Sequence, residues 1–301
     1  MKKILIIVNP KSTYFNENII NNLKIALNNK YYLIKYTYSL DDFNEQLNNL
    51  INFTSLLIVG GDGTVFHAVQ FILSNNIDIY IGHIPTGSGN GLTKSLLFSK
   101  NINFNSNNAI NNVLNLEKKN IDVMEIELHE QNLTIYSFLF ISCGIFSNID
   151  VGTDILKFIG NIRFTIGAIK ELMMKNCFYA TLEYDKYENN QLVRNRITGN
   201  FIFFMANNLS HTSDETHTSP GSLPNDGLIK INYLLEPCSR FKLTKLLLGL
   251  EDGSFLEHVN TINTNNFKLI TNDSYLDIDG EYYPSQTISV NLLSNKLNIH
   301  Y

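Results

Sequence analysis

Only three cysteines, Cys143, Cys177 and Cys238, occur in the 301-residue chain. Their number is odd, their spacing is wide and no CxxC pair is present. That pattern excludes a disulfide framework and a cysteine zinc site, and reads as reduced thiols serving as small buried hydrophobes. No apolar run reaches the length that spans a bilayer. The nearest approach is Met1-Lys2-Lys3 followed by Ile4-Leu5-Ile6-Ile7-Val8, the order of a signal peptide. Asn9-Pro10-Lys11 ends that run too early, so it reads as a first β-strand and the cytoplasm is the expected compartment. Basic residues are outnumbered, 23 Lys and Arg against 28 Asp and Glu, for a net charge of −5. That balance excludes bulk attraction to nucleic acid or to an anionic membrane. No GxxxxGK[ST] run is present, which excludes a P-loop enzyme. Internal repeats and a long disordered linker are missing as well. His67, His83, His211 and His217 share no metal-ligand spacing and read as surface or loop histidines.

What is present is 44% apolar residue content, enough to bury the core of one large or two medium domains. The first third alternates short β-branched runs with amphipathic stretches, the pattern of βα units on a parallel sheet. Strands are expected at Ile4–Val8, Tyr31–Thr37, Ser55–Val59 and Ile79–Ile84. Helices are expected at Glu17–Asn28, at Asp41–Leu50 with Asp41 as its cap, and at Val65–Ser74. From about Ile121 the extended segments lengthen: Asp122–Leu128, Thr134–Ser142, Phe178–Tyr184, Phe201–Met205 and Leu228–Leu235. These predict an antiparallel β-rich second domain, interrupted by a helix over Ile155–Lys175.

Gly60-Gly61-Asp62-Gly63-Thr64 lies between an apolar strand and a helix. Glycines there let the backbone approach phosphates while helix-terminal N–H groups face the anion, and Asp62 stands at that mouth. An ordinary strand-to-helix turn uses the same residue types. Pro85-Thr86-Gly87-Ser88-Gly89-Asn90-Gly91 is a second glycine loop in the same context. On a parallel sheet both loops fall at the carboxyl edge, where such sheets bind ligands, and together they describe a phosphate cradle of main-chain donors.

The order Asn9-Pro10, Gly60–Thr64, Pro85–Asn90 and Asp279-Gly280-Glu281 resembles the diacylglycerol kinase catalytic superfamily along nearly the whole chain. Within it, Asp150-Val151-Gly152 through Arg163-Phe164-Thr165-Ile166-Gly167 is similar to the sphingosine kinases, as are the Gly-Ser-Gly-Asn loop, Ser213–Pro220 and Leu246–Glu257. The resemblance implies a fold of the NAD kinase/diacylglycerol kinase type. An ATP-binding α/β domain with a parallel sheet would span residues 1–120, and a β-rich antiparallel sandwich that binds lipid would span 121–301, its end returning to the cleft between them. It implies Asp62 as the catalytic base for a lipid hydroxyl attacking Mg-ATP. Nucleotide contacts are implied at Asn9, Lys11, Gly61, Gly63, Thr64, Gly87, Ser88, Gly89, Lys157, Arg163, Gly280 and Glu281, with Mg2+ at Asp62 and Glu281, directly or through water. Phe164 falls to the lipid substrate.

By the same resemblance Asp150 takes the cationic amine of a sphingoid base; read from sequence alone it is equally a helix N-terminal Asp. The apolar faces of Ile155–Met173 and Leu243–Leu250 read as core or as the lining of an acyl tunnel. The expected activity is an ATP-dependent sphingoid base kinase. The alternatives are a diacylglycerol or other lipid kinase, an NAD kinase, and a non-catalytic lipid or nucleotide sensor. Transient peripheral membrane contact is expected and nucleic acid is not; a homodimer stays open. The chain departs from the family at Lys11-Ser12-Thr13-Tyr14, where a glycine-rich turn is usual, at His67 in place of a common Glu, and at Lys157 in place of Arg. After Asn9-Pro10, either the backbone approaches the nucleotide less closely or the Ser12 and Thr13 hydroxyls replace bare N–H groups.

Overall fold

The computed structural model describes residues 3–28, 30–145, 174, 176–188, 191–272 and 275–301. The chain forms two compact units, Met1–Asp122 with Ser294–Tyr301, and Val123–Leu293.

In the first unit, β1 (Lys3–Val8), β2 (Tyr31–Tyr36), β3 (Ser55–Gly60), β4 (Tyr80–Pro85) and the end of β15 (Thr287–His300) form a parallel sheet in the order β15-β4-β3-β1-β2. All of β3 is buried, as is β1 from Ile4 to Val8. Strands covered on both faces read as unbroken apolar runs, which is why the sequence shows no alternation there. The helices are α1 (Glu17–Ala26), α2 (Leu40–Leu47), α3 (Asp62–Ser74), α4 (Gly91–Ser99) and α5 (Ser106–Leu114). Ile19, Ile20 and Leu23 of α1, with Ile110 and Val113 of α5, pack on Ile4, Ile6, Leu57 and Val59. Each such side chain contributes roughly 1.5–3 kcal/mol by leaving water.

Two helix starts differ from expectation. Ser39, not Asp41, caps α2, its Oγ accepting the Asp42 N–H at 3.1 Å, while Asp41 and Asp42 sit in the first turn where negative charge suits the helix dipole. Helix α3 begins at Asp62 rather than at Val65, because Gly61 stays extended (φ −95°, ψ 178°) as its cap. Asp62 is thereby built into a helical first turn.

The second unit is β-rich and antiparallel. Its sheet runs β14 (Glu281–Tyr283), β13 (Leu276–Ile278), β7 (Phe140–Gly144), β9 (Gln191–Asn207), β8 (Phe178–Glu188), β12 (Asn266–Thr271) and the start of β15. The far half of β9 also pairs with β10 (Ile229–Leu235), which carries β11 (Asn260–Thr264). The second half of β5 (Lys118–Leu128) pairs with β6 (Leu133–Ser137). An α/β unit with a parallel sheet and a β-rich antiparallel unit match the fold class read from the sequence.

The extended segment expected over Thr134–Ser142 breaks into β6 and β7, because the Asp279 carboxylate captures the amides of Phe138, Leu139 and Phe140. In α6 (Arg240–Leu248), Leu243 and Leu246 pack against Phe203 and Phe255, so these two are core, whereas Leu248 is exposed. The Ile155–Met173 stripe lies outside the described residues. His83, His211 and His217 are buried rather than on the surface, the latter two with parallel rings 4.1 Å apart. Cys143 and Cys238 are buried as expected, but Cys177 is exposed. Among the described residues no helix is long and apolar enough to cross a membrane.

Candidate active site

Strands β1, β3 and β4 are neighbours, so the segments after Val8, Gly60 and Pro85 leave the same carboxyl edge of the sheet. The two glycine loops meet backbone to backbone: a Cβ added to Gly87 would stand 2.5 Å from the Gly61 Cα. Only the missing side chains permit that approach. The Thr86 N–H donates to the Gly60 carbonyl at 2.8 Å and locks the loops in register. Asn90, at φ +59°, ties the second loop to itself: its Oδ1 accepts the Gly87 N–H at 3.0 Å and its Nδ2 donates to the Gly87 carbonyl at 2.6 Å.

Asp62 sits where two helix N-termini converge. It opens α3, and its carboxylate accepts the Gly91 N–H at 2.9 Å and the Leu92 N–H at 3.3 Å, both in the first turn of α4. Burial raises its pKa, while the α4 amides pull it back toward the ionised form. His83 is buried under the same loops, and burial lowers its pKa, so the ring is neutral. A carboxyl of raised basicity beside two positive helix ends suits proton abstraction next to a bound anion.

The segment after β1 closes the third side. Asn9 Nδ2 donates to Thr64 Oγ1 at 3.4 Å, and the Tyr14 N–H donates to the Thr86 carbonyl at 2.8 Å. Ser12 Oγ donates to the Asn9 carbonyl at 2.8 Å and lies 2.6 Å from Thr86 Oγ1. Its hydroxyl therefore binds loop to loop, while Thr13 is exposed. The Lys11 ammonium donates to the Tyr38 carbonyl at 2.6 Å. Thus Asn9, Gly61, Asp62, Gly63, Thr64, Gly87, Ser88 and Gly89 share one edge of the first unit. Gly280 and Glu281 belong to the second unit: Gly280 lies in the β13–β14 turn, where its N–H donates to Asp277 at 2.8 Å and φ is +90°, and Glu281 opens β14. Asp150, Lys157, Arg163 and Phe164 lie outside the described residues.

The sequence reading missed His83 and Thr93 as site residues and named Thr86 and Asn90 only within their motif. Asn90 carried a usable signal, since Asn among glycines favours the left-handed conformation observed. The Gly61–Gly87 contact makes a first prediction. Gly87→Ala is expected to destabilise the protein by about 1–3 kcal/mol, seen as a lower urea midpoint. Ser88→Ala, at an exposed position, is expected to stay within about 0.5 kcal/mol.

Fold and site together define an α/β unit with an acid at the mouth of two glycine loops. Residues 3–126 match the diacylglycerol kinase catalytic domain. A putative lipid kinase of Staphylococcus carnosus (strain TM300) is 24% identical over 270 residues, covering 87% of this chain and 81% of that protein. Sphingosine kinase 2 of Arabidopsis thaliana is 21% identical over 262 residues, covering 74% of this chain and 53% of its own length. Sphingosine kinase 1 of Caenorhabditis elegans is 23% identical over 331 residues, covering 83% and 70%. The chain therefore spans most of the bacterial relative but about half of the plant one. A crystal structure of a putative diacylglycerol kinase from Bacillus anthracis str. Sterne shares the fold, with a TM-score of 0.74, 18% identity and coverage of 100% and 97%. Over residues 3–126 the chain is thus similar to the diacylglycerol kinase catalytic domain, and along most of its length it is similar, at modest identity, to proteins named as lipid kinases and sphingosine kinases.

Proposed function

We propose that the chain transfers the γ-phosphoryl group of ATP to the primary hydroxyl of a sphingoid long-chain base. The observation that carries this reading is Asp62, a half-buried carboxyl between two glycine loops, aimed by the Gly91 and Leu92 amides and made more basic by burial. As the lipid oxygen bonds to the γ-phosphorus, the bond to the bridging oxygen breaks, ADP leaves and the hydroxyl proton passes to Asp62. Such transfer depends on positioning and charge neutralisation more than on covalent chemistry. Main-chain donors around Gly61, Gly63, Gly87, Ser88 and Gly89 would line the phosphates, with Asn9, Lys11 and Thr64 at the rim. Lys157, Arg163, Gly280 and Glu281 take nucleotide contacts on family resemblance.

Among the described residues no group of three His, Cys, Asp or Glu side chains is placed to hold a metal. Magnesium commonly takes only one or two carboxylates, with waters and phosphate oxygens completing its shell. The residues present fit an ion of that kind, touching Asp62 or Glu281 directly or through water. When bound, it neutralises phosphate charge.

The sphingoid acceptor is supported by the sphingosine kinases among the relatives and by Asp150, whose carboxylate suits a cationic amine. A diacylglycerol acceptor is the second reading, favoured by the matching family domain. Purified protein incubated with Mg-ATP and sphingosine, diacylglycerol, ceramide or NAD separates them. Phosphorylation of sphingosine is expected, with KM raised ~10-fold or more in Asp150→Asn through loss of the charge pair. Phosphorylation of diacylglycerol but not sphingosine would overturn the acceptor. No product from any acceptor, despite ATP binding, would make the chain a sensor. A substrate that lives in a bilayer brings the protein to a membrane surface, the contact we assign to it.

A further inference from the structure

Behind Asp62, and out of reach of any ligand at the loops, lies a buried imidazole whose two nitrogens are both engaged. His83 stands in the all-buried stretch of β4, beside Ile58 of β3. Its Nε2 lies 3.0 Å from the carbonyl oxygen of Gly60, the last residue of β3. That oxygen only accepts, so Nε2 carries the ring proton. Nδ1 is then the acceptor, and it lies 2.9 Å from Thr93 Oγ1, a hydroxyl in the first turn of α4. The same turn supplies the Gly91 and Leu92 amides that grip Asp62.

Any buried histidine needs partners for both nitrogens, and core packing alone would satisfy that need. Here the two partners are the chain segments that fix Asp62. One arm holds the backbone immediately before Gly61-Asp62, and the other holds the helix turn whose amides orient the carboxylate. Resting on the proposed kinase reading, we propose that His83 is a positioning residue: a neutral strut from Gly60 to Thr93 that sets the Asp62 carboxylate against the start of α4. It touches neither nucleotide nor lipid. Its effect falls on the rate of transfer rather than on binding, since a reacting group displaced by a fraction of an ångström loses rate while the phosphate cradle persists.

His83→Leu removes both arms. His83→Gln restores a donor near the Nε2 position, and His83→Asn restores an acceptor near Nδ1. For His83→Leu we expect kcat to fall ~10–100-fold, with KM for ATP changed by less than about threefold. Gln and Asn should each recover part of the loss. Independently of turnover, the Gly91 and Leu92 amide proton resonances, held downfield by the carboxylate, should move upfield in His83→Leu. If His83→Leu does not fold, Thr93→Val, which deletes one hydroxyl, bears the same expectations at smaller size. An unchanged kcat, a loss confined to KM, equal impairment by Gln, Asn and Leu, or unmoved amide resonances would overturn the strut. Should the wild type phosphorylate no lipid, the kinase reading fails by itself, and the amide resonances alone decide the role of His83.

Discussion

Asp62→Asn is expected to lower kcat for lipid phosphorylation by ~10²–10⁴-fold, the range that a positioned general base contributes. The substitution keeps the size of the side chain and removes its proton affinity. Its structural cost is bounded by what the carboxylate does now. Both oxygens accept amides from the first turn of α4, Gly91 at 2.9 Å and Leu92 at 3.3 Å. A carboxamide can accept from one of them, and its NH2 then faces the other donor. One hydrogen bond is lost and α4 starts slightly looser, a change of about 1–3 kcal/mol in stability. Nucleotide affinity, carried mainly by backbone donors, should remain within a few fold by titration calorimetry. A variant that binds ATP normally and turns over within threefold of wild type would remove Asp62 from the chemistry. Asp62→Glu is a useful partner, because it keeps the acid but lengthens it by a methylene against an α4 turn held in place from behind.

Much of the first unit was legible because its signals are local. Buried parallel strands announce themselves as apolar runs, and each glycine loop follows one directly. What stayed hidden depends on distant partners. Val65 opens the apolar period of α3, so periodicity placed the helix start there, whereas the helix begins at Asp62 because Gly61 caps it. His83 gave no sign of burial except its place between Gly82 and Ile84 in a central strand. Without a metal-like spacing, a lone histidine reads as surface, and its partners Gly60 and Thr93 are defined only by the fold. Ser12 shows the same limit. Its hydroxyl was a candidate stand-in for glycine N–H groups, yet it joins the Asn9 and Thr86 segments, a role set by the packing of three loops. In the second unit the break between β6 and β7 is written in Asp279, far along the chain from the strands that it separates.

That same residue carries the second large expectation. The Asp279 carboxylate accepts Ser137 Oγ at 2.7 Å and the N–H groups of Phe138, Leu139 and Phe140 at 2.9–3.0 Å, in a fully enclosed site at φ +54°. Asp279→Ala leaves three buried amides without an acceptor, while Ser137 Oγ can turn to the Phe140 carbonyl at 3.3 Å. At about 1–3 kcal/mol each, with partial relaxation, the loss should reach about 4 kcal/mol or more. Asp279→Asn keeps one oxygen, on which three of the four donors already converge, and should lose only about 1–2 kcal/mol. Urea transitions followed by circular dichroism at neutral pH rank the variants, and a cost under about 1 kcal/mol for Asp279→Ala would show that the network is dispensable. The pH dependence has a definite sign. Burial pushes this carboxyl from 3.8 up to about 7 against the four donors. The folded state thus keeps a proton that the unfolded chain releases between those values. Its contribution is full below pH 3.8 and is lost as pH rises through about 7. Wild-type stability should carry that downward slope, and Asp279→Ala should lack it.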